Sequence, residues 1–270
     1  MSIHARIIAR LDVKAPFLVK GIQFEGLRKL GEPSEYALRY YHNGIDEIYY
    51  EDTVASLYDR NNIFDILRRT TDDVFIPITV GGGLRNLKDV ETALKNGADK
   101  IAVNTAAIKR PDFLNEISDQ FGSQCLVLSV QAKKNGDFWE AYYDNGREPS
   151  GVNVIDWVLE GQERGAGEIL ITSVDRDGTR KGPDIQLLQG AARDSQVPII
   201  AGGGIGTPEH CADVILKGGA DAVAIAAALH YETCQLMDIR SHCKRENIVV
   251  RRISYIDTEN DHFGARVLLS

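Results

Sequence analysis

Four short segments of this chain occur twice, in the same order and about 120 residues apart. Ala9-Arg-Leu-Asp-Val-Lys14 returns as Leu128-Ser-Val-Gln-Ala-Lys133, and Gly44-Ile-Asp-Glu-Ile48 as Gly165-Ala-Gly-Glu-Ile169. Gly81-Gly-Gly83 returns as Gly202-Gly-Gly204, and Ala98-Asp99 as Ala220-Asp221. Chance explains any one such pair, but poorly explains four in order at near-constant spacing. The repeat is half the length of a typical barrel of roughly 250 residues. Short β-branched runs alternate with amphipathic stretches between the repeats. The expected strands are Arg6–Asp12, Glu47–Asp52, Ile76–Val80, Lys100–Asn104, Leu126–Gln131, Glu168–Ser173, Pro198–Ala201 and Ala222–Ala226. Their nearly continuous apolar character suits strands buried on both faces of a parallel sheet. Helical patterns span Pro33–Tyr41, Asn62–Thr71, Leu87–Lys95 and Pro111–Phe121, and Thr207 is placed to cap a helix opening at Pro208. Eight strands, each followed by a helix, predict an α/β fold of the (β/α)8 TIM-barrel type, built from two half-barrels.

At 270 residues and 43% hydrophobic, the chain suits one domain with a sizeable core. The barrel is expected over residues 1–246, with a hairpin inserted at 133–151 and a tail at 247–270. A net charge of −8 argues against a nucleic-acid partner. No apolar run approaches the roughly 20 residues of a membrane span, and the start lacks a signal-peptide core, so a cytoplasmic protein is expected. Cys125, Cys211, Cys234 and Cys243 form no Cys-x-x-Cys pair, and the six His show no ligand spacing. Buried thiols are expected, with no metal and no cofactor.

The repeat also locates a site, because barrel chemistry sits at the C-terminal ends of the strands. Asp12 and Gln131 occupy equivalent strand ends. Gly81-Gly82-Gly83 and Gly202-Gly203-Gly204 each follow a strand and precede a helix. Backbone N–H groups without a neighbouring Cβ can approach an anion closely. Asn104-Thr105 adds side-chain donors to the first turn, and Ala226-Ala227 adds backbone donors to the second. Two such cradles suit a small molecule with a phosphate at each end.

Over nearly its whole length the chain resembles the cyclase subunit of imidazole glycerol phosphate synthase. The motifs that carry the resemblance are Leu11-Asp-Val-Lys14, Val19-Lys-Gly21, Thr79-Val-Gly-Gly-Gly83, Asn104-Thr-Ala-Ala107, Phe121-Gly-Ser-Gln124, Arg164-Gly-Ala-Gly-Glu168 and Thr172-Ser-Val-Asp-Arg-Asp-Gly-Thr179. The resemblance implies a barrel that takes ammonia from a separate glutaminase subunit at its N-terminal face. It implies delivery along the axis to a doubly phosphorylated substrate, with two aspartates doing the acid–base work. Asp12 matches the first aspartate and Lys20 a mobile-loop lysine that contacts substrate. Gly82, Asn104 and Thr105 match one phosphate site. Thr172, Asp177, Gly178, Gly203 and Gly204 match much of the other. Arg6, Glu47, Lys100 and Glu168 match the ammonia gate; a salt-bridged barrel floor is the plainer reading, but all four charge types at their strand starts favour the gate. Asp99 falls where the glutaminase docks.

The departures lie on the substrate side. Gln131 stands where the second aspartate is expected, and an amide cannot exchange a proton near neutral pH. Gly202 and Ala227 replace hydroxyl residues of the second phosphate site. Ala15-Pro-Phe-Leu18 makes the first loop stiffer and more apolar than the family's. These departures suggest a paralogue, and Ala9-Arg-Leu-Asp-Val-Lys14, Phe24-Glu-Gly-Leu-Arg28 and Val54-Ala-Ser-Leu-Tyr58 resemble cyclase-like proteins of acetamidino-sugar pathways. That reading implies a glutaminase partner and a sugar amidotransferase. Its alternatives are the histidine-pathway cyclase and a non-catalytic barrel that activates a glutaminase. Asp52 is read as orienting substrate or Lys20, or as part of a salt bridge. Asp175-Arg176-Asp177-Gly178 is read as ordering its loop and positioning phosphate rather than as a metal site. The aromatics Phe138, Trp139, Tyr142 and Tyr143 are read as covering substrate, binding a partner or packing on the barrel top.

Overall fold

The computed structural model describes residues 3–55 and 63–251. Eight parallel strands close into a barrel: β1 (Arg6–Lys14), β2 (Glu47–Asp52), β3 (Ile78–Gly81), β4 (Lys100–Val103), β5 (Leu126–Asn135), β6 (Glu168–Ser173), β7 (Ile199–Gly202) and β8 (Ala222–Ile225). Pairing runs in this order, and β8 returns to β1. Helices between the strands cover the outside, so the expected fold stands.

The sequence repeat is a structural one. Ile8 pairs with Glu47 and Asp12 with Glu51 across β1 and β2. The repeat-related pairs Val127 with Glu168 and Gln131 with Thr172 lie in the same register across β5 and β6. Asn86 caps the helix Leu87–Lys95 through the Asp89 N–H, and Thr207 caps Pro208–Leu216 through the His210 N–H, at equivalent places. Strand starts are fixed by carboxylates rather than by hydrophobicity alone. Ile7, Ile78 and Ile199 donate their N–H groups to Asp46, Asp99 and Asp221 on the next strand's threshold. This trims the expected third strand from Ile76 to Ile78 and the seventh from Pro198 to Ile199.

Two apolar layers hold the barrel. The larger lies between strands and helices and includes Ile48, Val80, Ile101, Leu128, Ile171 and Ile225, all fully buried. Each such side chain contributes about 1.5–3 kcal/mol by leaving water. A smaller cluster, Ile8, Tyr49, Ala102, Val127, Leu170, Ile200, Ala222 and Ala224, fills the barrel interior.

Beyond the rim, both repeat-related strands run on into hairpins. β5 continues through Phe138–Tyr143 to Glu148–Asn153. β1 turns at Ala15-Pro16 into Phe17–Ile22 and then Glu25–Gly31, where the sequence suggested only a loop. The two meet where Phe24 abuts Gly146. Of the expected tail strand, Ile248–Val249 pairs in parallel with Ile3–His4. Arg251 bonds to Ile45 and Asp46 at the barrel floor. The rest of the tail, most of Val54–Tyr58 and the start at Asn62 lie outside the described residues. No helix among the described residues is long and apolar enough to cross a membrane.

Candidate functional site

The barrel floor carries four charges in a closed ring. Arg6 bonds to Glu47 at 2.7 Å and to Glu168 at 2.8 Å. Lys100 bonds to the same two carboxylates at 3.2 and 2.8 Å. The four strands that start with these residues place them around the axis, and the charges cancel. Asp99, expected on a docking surface, is exposed and also holds the Ile78 N–H. Because the ring is only partly buried, Lys100→Met is expected to cost about 1–3 kcal/mol, between exposed and buried ion pairs. Equal urea midpoints for the two proteins would show that the ring adds no stability.

At the other end, Asp12 sits inside an ion cluster. Arg10 Nε donates to its Oδ1 at 2.8 Å, and Lys20 Nζ to its Oδ2 at 2.7 Å. Lys20 also donates to both Asp177 oxygens, at 2.9 and 3.0 Å. Arg10 Nη1 reaches the Thr172 hydroxyl on β6 at 2.9 Å, and its guanidinium lies over Phe24 and Tyr49. Burial would raise the Asp12 carboxyl, but Arg10 and Lys20 overcome this and hold it well below its ordinary value. Burial would likewise lower the Lys20 ammonium, and Asp12 and Asp177 raise it instead. Lys20, expected on a mobile loop, is therefore a strand residue at 2% exposure with its charge fully paired. Asp177 and Thr172, expected at a phosphate, take part in this cluster.

The two glycine turns repeat in three dimensions. Gly82 and Gly83 have φ of 86° and 74°, and Gly203 and Gly204 have 92° and 85°. A Cβ on Gly82 would meet the Asp52 backbone, and one on Gly203 the repeat-related Ser173 backbone. Asn104 and Ala226 open the short helices Thr105–Lys109 and Ala227–His230 with near-identical φ/ψ, −128°/−81° and −120°/−83°. The surroundings differ. The first turn lines a cavity of about 310 Å³ together with Glu51, Asp52, Asn104, Thr105, Ser129 and Gln131. The second lies under the loop after β6, where Gly182 donates to the Gly204 carbonyl at 2.9 Å and Gly178 presses on Gly21.

Several expected side chains are committed locally. Asp52 accepts the Val54 and Ala55 N–H groups at 3.0 and 2.9 Å, and no described contact links it to Lys20. Asn104 Nδ2 donates to the Ser129 and Tyr142 carbonyls, and the Thr105 hydroxyl accepts the Asp144 N–H. The Gln131 Oε1 accepts the Gly146 N–H at 2.6 Å. The second hairpin thus covers the cavity with its backbone. Its Trp139 turns outward to Asp184, bonding at 2.9 Å.

Sequence reasoning missed Arg10, Tyr49, Glu51 and Asn145. All four are buried, and Glu51 and Asn145 line the cavity. Burial pushes the Glu51 carboxyl up to about 7, with Asp12 and Asp52 adding to the rise against the pull of Arg10 and the Tyr49 hydroxyl. Period-two alternation carried a usable signal. It puts Arg10 on the inner face with Asp12, and Tyr49 and Glu51 there with Glu47.

With this geometry in view, the comparisons with known proteins agree on one family. The model of the histidine biosynthesis protein family matches residues 6–235. The chain is 53% identical over 209 residues to imidazole glycerol phosphate synthase subunit HisF of Legionella pneumophila, covering 77% of this chain and 98% of the relative. It is 44% identical over 248 residues to the subunit of that name from Wolinella succinogenes, covering 91% and 97%. The protein so named from Thermosynechococcus vestitus is 40% identical over 258 residues, covering 93% and 92%. None of these three names concerns sugar amidination. On the extent of these matches, the chain belongs to the histidine biosynthesis protein family.

Proposed function

We infer that the chain is an ammonia-using cyclase subunit of the imidazole glycerol phosphate synthase type, acting on a doubly phosphorylated small molecule at the barrel mouth. The observation that carries this reading is the cavity that joins a glycine-turn anion cradle to buried acid and amide groups. Gly82, Gly83 and Thr105 would hold one phosphate, and Arg85, Lys109 and Arg110 on the same cavity wall add positive charge. The second phosphate would rest on Gly203, Gly204 and the backbone at Ala226 and Ala227. That cradle lies under the loop carrying Asp177 and Gly178, so that loop shifts on binding. Ammonia would enter through Arg6, Glu47, Lys100 and Glu168 from a separate glutaminase docked near Asp99. The sequence similarity to proteins of that name supports the same reading.

The test is direct. The purified chain is given ammonium and the bis-phosphorylated ribulosyl intermediate of histidine biosynthesis. Substrate loss at an ordinary enzymatic rate is expected, and its absence at saturating ammonium would overturn the reading.

Gln131 favours a second reading, ammonia supply for an acetamidino-sugar pathway, since that role needs no cyclising acid–base pair. It predicts that the chain binds and stimulates a glutaminase and feeds a sugar amidotransferase, yet leaves the ribulosyl intermediate untouched. Turnover of that intermediate would exclude it.

A further inference from the structure

The two groups expected to move protons are poorly placed to do so. Asp12 has both oxygens bound to cations and is absent from the cavity wall. Gln131 is on the wall but is an amide. Glu51 is a carboxylic acid on the same wall, 8% exposed, and stands in register with Asp12. Its Oε2 accepts from the Tyr49 hydroxyl, and no hydrogen bond occupies Oε1 among the described residues. Asn145, on the hairpin above, is a second and independent sign of a ligand. It too is 8% exposed and lines the cavity, and its Nδ2 has no hydrogen-bond partner among the described residues. A buried donor left unpaired is destabilising, a loss that a ligand oxygen would recover.

We propose that Glu51 is the proton-transfer residue of this cavity, acting on a carbonyl substrate whose oxygen accepts a hydrogen bond from Asn145. The proposal rests on the ammonia-using reading above. The ammonia lone pair forms a C–N bond to the carbonyl carbon, and the C=O π pair moves to oxygen. The Glu51 carboxylate takes one proton from the nitrogen and returns it to that oxygen. Glu51 ends unchanged, and nothing is oxidised or reduced.

The groups facing Glu51 decide its protonation. Arg10 and Asp12 face it from β1, and Tyr49 and Asp52 from its own strand. β3, Ile78 to Gly81, offers no ionisable side chain. Across the cavity stand the neutral Ser129, Gln131 and Asn145, with Arg85, Lys109 and Arg110 also on its wall. Burial dominates and sets the carboxyl near 7, where it can both take and give a proton at neutral pH.

Steady-state rates with ammonium and the ribulosyl intermediate, at constant free ammonia across pH, test the idea. In Glu51→Gln, kcat/KM is expected to fall about 10²–10⁴-fold and the acid limb near pH 7 to vanish. Glu51→Asp is expected to recover part of the rate with its limb shifted to lower pH. An unchanged rate and limb in Glu51→Gln would overturn the proposal while leaving the cyclase reading intact. An inactive wild type would overturn both readings. If Glu51→Gln does not fold, as judged by circular dichroism, the Glu51→Asp limb decides, and an unshifted limb counts against the proposal.

Discussion

Replacing Lys20 with methionine is expected to destabilise the protein by about 3–5 kcal/mol, the usual cost of removing one partner from a buried ion pair. Lys20 is among the largest fully buried side chains, and it neutralises Asp12 and Asp177 together. With Arg10 the cluster holds two positive and two negative charges. Methionine matches the length of lysine, so the variant removes the charge more than the volume. Asp12 and Asp177 would then share Arg10 as their nearest cation, in a setting with little water to screen them.

The effect has a definite pH dependence. Asp12 is held below its ordinary value of 3.8, so its contribution is present above that value and lost as pH falls through its folded value. Lys20 is raised above 10.5, so its contribution is present below that value and lost as pH rises through its folded value. The gap between wild type and Lys20→Met is therefore widest near neutral pH and narrows in acid. Urea denaturation at pH 7 and pH 3 measures it, and equal gaps would show that charge pairing is not the cause.

Gly82→Ala has the next largest expected effect, about 2–5 kcal/mol. Its φ of 86° disfavours any L side chain, and the new Cβ would fall on the Asp52 backbone rather than on a flexible side chain. The backbone contributes about 1–2 kcal/mol, and forced overpacking about 1–3 kcal/mol more. Gly136→Ala is the matched comparison. Gly136 has a φ of 58° but nothing within 4 Å of its Cβ position, so only the backbone cost of about 1–2 kcal/mol is expected. Binding of inorganic phosphate, followed by calorimetry, is expected to weaken at least about tenfold in Gly82→Ala, worth ~1.4 kcal/mol, and not at all in Gly136→Ala. Phosphate binding as tight as in the wild type would remove the first glycine turn as an anion cradle.

Much of the fold was legible because its signals are local and repeated. Buried parallel strands read as apolar runs, and Asn86 and Thr207 mark equivalent helix starts. The floor ring was legible for a similar reason, since Arg6, Glu47, Lys100 and Glu168 are charges at the first positions of strands, each followed directly by Ile. The hairpin from Phe17 to Gly31 was not. Its second strand is largely exposed, so burial leaves no alternating pattern in the sequence.

The sequence by itself determined two half-barrels, the pair of glycine turns and the presence of Asp12 opposite Gln131. Each follows from residue types at a spacing the backbone must honour. Only the tertiary structure decided which of these groups is free to act. Lys20 and Asp177 lie 157 positions apart in the chain, and Arg10 and Thr172 lie 162 apart. No local pattern reveals that these pairs consume the charge of Asp12 and Lys20. The same closure buries Glu51 beside Tyr49 and turns an ordinary surface-type acid into one that titrates near 7. Desolvation and through-space charge depend on what surrounds a group, and that is fixed only when the barrel closes.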